Sequence, residues 1–231
     1  MNAAQSALAP DPNWKRVYKV GGIGLLASGV IFVVGAVLSM MIGNPPADAE
    51  GYLKSVAGHQ ALSFATFGLF ALTDFLMVPG IIALYLALRH ISRNAMLIAA
   101  GLMALYVVLD LAITEPSSLA LVALTRHYAA SASDAARAVY VSAASYALAV
   151  LPVATFYSYV ISSIGFLIAS IVMLKGVFSK VTAYVGIAAC VEGIVGGFYL
   201  FVPALAVLLL PCLMAFALWS FLAGLRLYRL G

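Results

Sequence analysis

ALSFATFGLFALTDFLMVPGIIALYLAL, residues 61–88, is the stretch of sequence that decides the fold. Its 28 residues are nearly all apolar, with one acid, Asp74, and one proline, Pro79. About 20 apolar residues already cross the hydrocarbon of a bilayer, so this stretch predicts a membrane-spanning helix. An acid inside such a helix is costly, which makes Asp74 a functional candidate.

The composition extends this prediction to the whole chain. Hydrophobic residues make up 65% and charged residues only 9% of the sequence, and the mean hydropathy is +1.11. Soluble domains carry about 25% charged residues, so a water-soluble fold is excluded. The net charge of +4 lies in short loops beside apolar runs. It therefore indicates topology and a lipid bilayer as partner, with no nucleic-acid surface.

The apolar runs predict an all-α, polytopic integral membrane protein, a single bundle over residues 1–231. The predicted spans are residues 20–42, 61–88, 95–124, 152–174, 181–202 and 203–225. Residues 43–60 are predicted as a loop, and Pro116 is expected to bend the third span without breaking it. A helix over residues 134–150 is predicted on the outer face, either as an extra interfacial helix or as an outward extension of the fourth span.

Basic residues are distributed unequally between the two ends of this bundle. One end holds Lys15, Arg16, Lys19, Arg89, Arg93, Lys175, Lys180, Arg226 and Arg229. The other end holds Lys54, Arg126 and Arg137. Because cytoplasmic loops carry the excess of Lys and Arg, both termini are predicted to be cytoplasmic.

Two short segments resemble a bacterial membrane-protein family. They are the junction of the second and third spans, with residues 74–79, 83–89 and 93–95, and the ending LRLYRLG at residues 225–231. Both look like the family called domain of unknown function 4386. The resemblance implies a six-helix protein of the bacterial inner membrane, and it implies no activity or cofactor.

Four acids lie within the apolar runs, and no Lys or Arg lies in any predicted span. At a rise of about 1.5 Å per residue, Asp74, Asp110 and Glu192 fall near the middle of the membrane. Such carboxyls must be protonated, hydrogen-bonded, hydrated or bound to a cation. The sequence therefore predicts either a ligand or ion pocket or neutral packing contacts between helices. The other candidate pocket residues are Tyr106, Tyr159 and Ser163.

A second candidate group is predicted at the outer face. It consists of His59, Glu115, Arg126 and His127. Glu115 comes five residues after Asp110, so a regular helix would put the two acids on different faces. Histidine and glutamate can bind zinc or copper, but no spacing here indicates a metal site.

Three classes of function are compatible with these patterns. The leading prediction is binding or transport of a small ligand or ion through the acidic pocket. The alternatives are an intramembrane enzyme that uses the outer-face group on a lipid or apolar substrate, and a structural protein that acts through partners. Gly193 and Gly197, four residues apart, allow close helix approach, within the bundle or in a homo-oligomer. No nucleotide-binding or hydrolase motif is present in the sequence.

Overall fold

A computed structural model describes residues 11–43 and 45–231, so residues 1–10 and residue 44 of the predicted domain lie outside the described part. The described residues are helical throughout, with no strand among them. The α-helices are α1 (Lys15–Ile42), α2 (Ala49–Ala57), α3 (Gln60–Leu88), α4 (Arg93–Leu109), α5 (Glu115–Ala130), α6 (Asp134–Met173), α7 (Lys180–Gly197) and α8 (Leu209–Leu230). A π-helical turn, Asp110–Thr114, joins α4 to α5.

Among the described residues, six helices are long and apolar enough to cross a membrane, which is the number that the sequence predicts. They are Pro12–Ile42, Gln60–Leu88, Arg93–Ala130, Asp134–Met173, Lys180–Leu200 and Pro203–Leu230. Large apolar side chains remain exposed on their outer surfaces. Met41, Phe64 and Val181, for example, are 63%, 61% and 64% exposed. An apolar surface of this extent is typical of contact with lipid.

The six long helices form a closed ring in chain order. Each contacts its neighbours in the chain, and α1 also packs along α8. Glycine makes that last contact close, because a Cβ on Gly22 would lie 2.8 Å from the carbonyl oxygen of Gly224. Gly197 faces Val160 and Tyr159 of α6. The pair Gly193 and Gly197 therefore packs within the bundle.

The third and fourth long helices are much longer than a bilayer requires. They contain 38 and 40 residues, which corresponds to about 57 and 60 Å, against about 30 Å of hydrocarbon. Their excess length forms a hairpin at the end of the bundle that carries residues 131–133. Here α2, α5 and the first part of α6 enclose a second hydrophobic core around Leu53, Leu121 and Ala144. We call this part the hairpin extension.

The structure corrects two predictions at this end of the molecule. Residues 134–150 are not a separate helix, because α6 runs without interruption through Pro152. Of the two alternatives, the outward extension of the fourth span is the one observed. The predicted loop 43–60 contains α2, which Asp48 caps by accepting a hydrogen bond of 2.7 Å from the N–H of Gly51. Leu53 and Val56 of α2 are buried on one stripe, and that spacing was the signal for a helix.

The predicted spans are also shorter than the helices at their basic ends. The first long helix begins at Pro12 and the last one ends at Leu230, beyond the predicted limits of 20 and 225. Hydropathy detects only the apolar part of a helix, whereas the backbone continues through the flanking basic residues. Arg226, for example, donates a hydrogen bond of 2.7 Å from Nε to the carbonyl oxygen of Val177.

Candidate functional site

A cavity of about 220 Å³ lies inside the ring of long helices. Its wall includes residues from all six of them, from Phe32 of α1 to Phe216 of α8. The largest share comes from α6, where residues 155–166 contribute five side chains with hydroxyl groups, including that of Tyr159, and the ring of Phe166. The cavity is therefore an internal feature of the bundle.

Three of the four acids within the apolar runs line this cavity: Asp74, Asp110 and Glu115. The hydroxyl of Tyr106 donates a hydrogen bond of 2.7 Å to Oδ1 of Asp74. The hydroxyl of Ser158 donates one of 2.5 Å to Oδ1 of Asp110. Each aspartate is thus oriented by a hydroxyl on a neighbouring helix.

Two of these carboxyl groups keep an oxygen without a partner. Asp74 is 3% exposed and Glu115 is 8% exposed. Oδ2 of Asp74 and Oε2 of Glu115 are buried, with no hydrogen-bond partner among the described residues. Buried polar atoms are nearly always paired, so unpaired carboxyl oxygens beside a cavity require a physical explanation.

The π-helical turn explains why Glu115 belongs to this site. The backbone N–H of Glu115 bonds to the carbonyl oxygen of Asp110, five residues earlier. A π turn contains an extra residue, so its first residue and the one five later lie about one turn apart. Both acids therefore face the cavity. The prediction that they occupy different faces, which assumed a regular α-helix, was wrong.

The predicted outer-face group does not come together. Glu115 lines the cavity, whereas His59, Arg126 and His127 are exposed. His127 stacks on Tyr140, with 5.7 Å between ring centroids, and it follows Glu115 by twelve residues, or about 18 Å of helix. Among the described residues, no group of three or more His, Cys, Asp or Glu side chains could hold a metal ion.

The remaining predicted pocket residues divide into two sets. Tyr106, Tyr159 and Ser163 line the cavity. Glu192 is half-buried and is not part of the lining, although its Oε2 is also buried without a partner. Cys190, two residues earlier on α7, does line the cavity. Residues two apart in a helix face nearly opposite directions, so the depth of Glu192 was a poor guide to its direction.

Sequence reasoning missed an aromatic cluster in the wall of the cavity. The ring centroids of Phe166 and Phe216 are 4.8 Å apart, and those of Phe32 and Phe216 are 5.6 Å apart. The ring centroid of Trp219 lies 5.2 Å from that of Phe166. Phe32, Phe166 and Phe216 line the cavity. We call these four residues the aromatic floor.

The cavity is acidic in its ionisable groups and apolar in most of its wall. No Lys, Arg or His belongs to the described residues that line it. Asp74, Asp110 and Glu115 line the same cavity. They are therefore the residues that could hold a positively charged group, and the rings are those that could hold an apolar one. Comparison with protein-family models, with curated proteins and with solved structures found no match to this chain.

Proposed function

We propose that this protein binds a small cation in the cavity and allows it to cross the membrane. The observation that carries this proposal is the pair of buried, unpartnered oxygens, Oδ2 of Asp74 and Oε2 of Glu115, beside a cavity whose described lining contains no basic residue. An ionised carboxyl taken out of water costs several kcal/mol unless a positive charge offsets it. A bound cation supplies that charge, and the hydroxyls of Tyr106 and Ser158 hold the acids in place.

The placement of the protein is part of the same proposal. We place it in the inner membrane of a bacterium, as a member of the family that it resembles, with both termini in the cytoplasm. The excess of basic residues at one end of the bundle supports this orientation. The hairpin extension then lies on the outer side.

Cation binding can be tested with purified protein in detergent micelles. Thermal unfolding would be followed at increasing concentrations of a panel of inorganic and organic cations. We expect at least one cation to raise the melting temperature, because a ligand that binds only the folded state stabilises it by mass action. Asp74→Asn and Glu115→Gln should remove that shift.

The matched control is Glu192→Gln, because Glu192 is an acid of a long helix that does not line the cavity. This variant should keep the shift. An equal loss in all three variants would show that general destabilisation is responsible, and no response of the wild-type protein to any cation would contradict the proposal. Counterflow of the stabilising cation in proteoliposomes then tests passage across the membrane.

A further inference from the structure

We infer that the bound cation is an organic amine with an apolar body of aromatic size. Its ammonium group lies between Asp74 and Glu115, and its body lies on the aromatic floor. This inference rests on the proposed function and specifies the class of ligand. It follows from three properties of the cavity: its volume, the presence of both carboxyl groups and aromatic rings in its wall, and the unpartnered carboxyl oxygens of Asp74 and Glu115.

The volume is larger than an inorganic ion needs. A cavity of about 150 Å³ lined by apolar side chains binds benzene. The cavity here is about 220 Å³, so it has room for a ring and a short chain that ends in an amine. A bare or partly hydrated metal ion would leave most of the apolar wall without a contact.

The wall combines carboxyl groups with aromatic rings. It includes the carboxyls of Asp74 and Glu115 and the rings of Phe32, Phe166 and Phe216. Tyr106 lies between an acid and a ring, since its hydroxyl donates to Asp74 and its ring centroid lies 6.5 Å from that of Phe166. An amphipathic amine has both a charged end and an apolar end, which match these two kinds of group. Rings near the ammonium add a cation–π attraction.

The unpartnered carboxyl oxygens suit an ammonium. Oδ2 of Asp74 and Oε2 of Glu115 are buried without a hydrogen-bond partner among the described residues. A primary ammonium has three N–H donors. It can use these two oxygens and one further acceptor of the wall.

The experiment compares three probes by isothermal titration calorimetry with the full chain in detergent. The probes are 2-phenylethylamine, its neutral analogue 2-phenylethanol, and methylammonium, which has the charge without the ring. We expect 2-phenylethylamine to bind at least tenfold more tightly than either of the others. Glu115→Gln should reduce its affinity at least tenfold, and Glu192→Gln should leave it unchanged.

The aromatic floor is tested separately from the acids. Phe216→Ala should weaken the binding of 2-phenylethylamine and leave the binding of methylammonium unchanged, because only the ring of 2-phenylethylamine contacts Phe216. Phe216→Leu provides the same comparison if the alanine variant does not fold. Circular dichroism and gel filtration identify the variants that retain the native fold.

Two outcomes distinguish failure of the inference from failure of the proposed function. Binding of sodium or magnesium that depends on Asp74 and Glu115, with no binding of the amine, would overturn the inference and leave cation binding intact. Equal binding of 2-phenylethanol and 2-phenylethylamine, unaffected by Glu115→Gln, would overturn both, since the cavity would then not recognise charge.

Discussion

The hydrogen bond between Tyr106 and Asp74 allows a quantitative prediction about stability. Tyr106→Phe removes only the hydroxyl that donates to Oδ1 of Asp74 at 2.7 Å, and it keeps the ring that packs near Phe166. Because Oδ2 of Asp74 already lacks a partner among the described residues, the variant leaves the whole carboxyl unpaired.

The expected cost follows from the burial and charge of this pair. Side-chain hydrogen bonds in membrane proteins contribute about 0.6 kcal/mol on average and about 1.7 at most. Hydrogen bonds to charged groups contribute about 1.5–3 kcal/mol. Tyr106 and Asp74 are both buried, so we expect Tyr106→Phe to lower the free energy of unfolding by about 1.5 kcal/mol. That is about a tenfold change in the unfolding equilibrium.

The assay is unfolding by sodium dodecyl sulfate in mixed micelles, followed by circular dichroism. Tyr184→Phe is the matched control, because Tyr184 is 60% exposed and its hydroxyl should contribute less than about 0.5 kcal/mol. In an Asp74→Ala background, Tyr106→Phe should also cost less than about 0.5 kcal/mol. An undiminished cost in that background would refute the reasoning, since the hydrogen bond could not then be its cause.

Three further predictions concern packing, pH and topology. Gly22→Ala should destabilise the bundle by about 1–3 kcal/mol, because the added Cβ would meet the backbone of α8. Gly101 has open space around it, so Gly101→Ala should be neutral or slightly stabilising in the same unfolding assay. Equal changes in the free energy of unfolding for the two variants would contradict the close contact. Lys54, one turn further along α2, lowers the pKa of the Glu50 carboxyl. Their ion pair therefore contributes to the stability of α2 at neutral pH, and this contribution is lost as the pH falls below about 4.3. The protection factors of the α2 amides, which are corrected for the intrinsic slowing of exchange in acid, should therefore fall as the pH is lowered, and Glu50→Gln should abolish that fall; an unchanged fall in this variant would exclude the carboxyl as its cause. A membrane-impermeant maleimide should label Ala132→Cys in intact cells and Lys175→Cys only after permeabilisation, and the reverse pattern would invert the proposed topology.

Hydropathy was enough to predict the number and approximate limits of the long helices. Burying about 20 apolar residues in hydrocarbon does not depend on the neighbouring helices, so each span can be recognised by itself. The same reasoning missed α2, because nine residues are too few for a hydropathy signal. It also separated residues 134–150 from the fourth span, because a proline at 152 suggested a boundary that the structure does not have.

The site was predictable in depth but not in direction. Depth follows from counting residues along a helix, and it placed Asp74 and Asp110 at the level where the cavity lies. Direction depends on helix rotation, which helix packing and a single inserted residue both change. The π-helical turn therefore brought Glu115 into the cavity. Glu192 was expected there at the same depth, but it is not among the lining residues.

The hairpin extension has a mechanical consequence for the cavity. Its helix α5 carries Glu115 in the first turn and contains 16 residues up to Ala130, a rod of about 24 Å. A rotation of about 5° about the π-helical turn would displace the far end of this rod by about 2 Å. Glu115 lies beside the pivot, so such a rotation would change the direction of its carboxyl in the cavity while the far end of the rod moves.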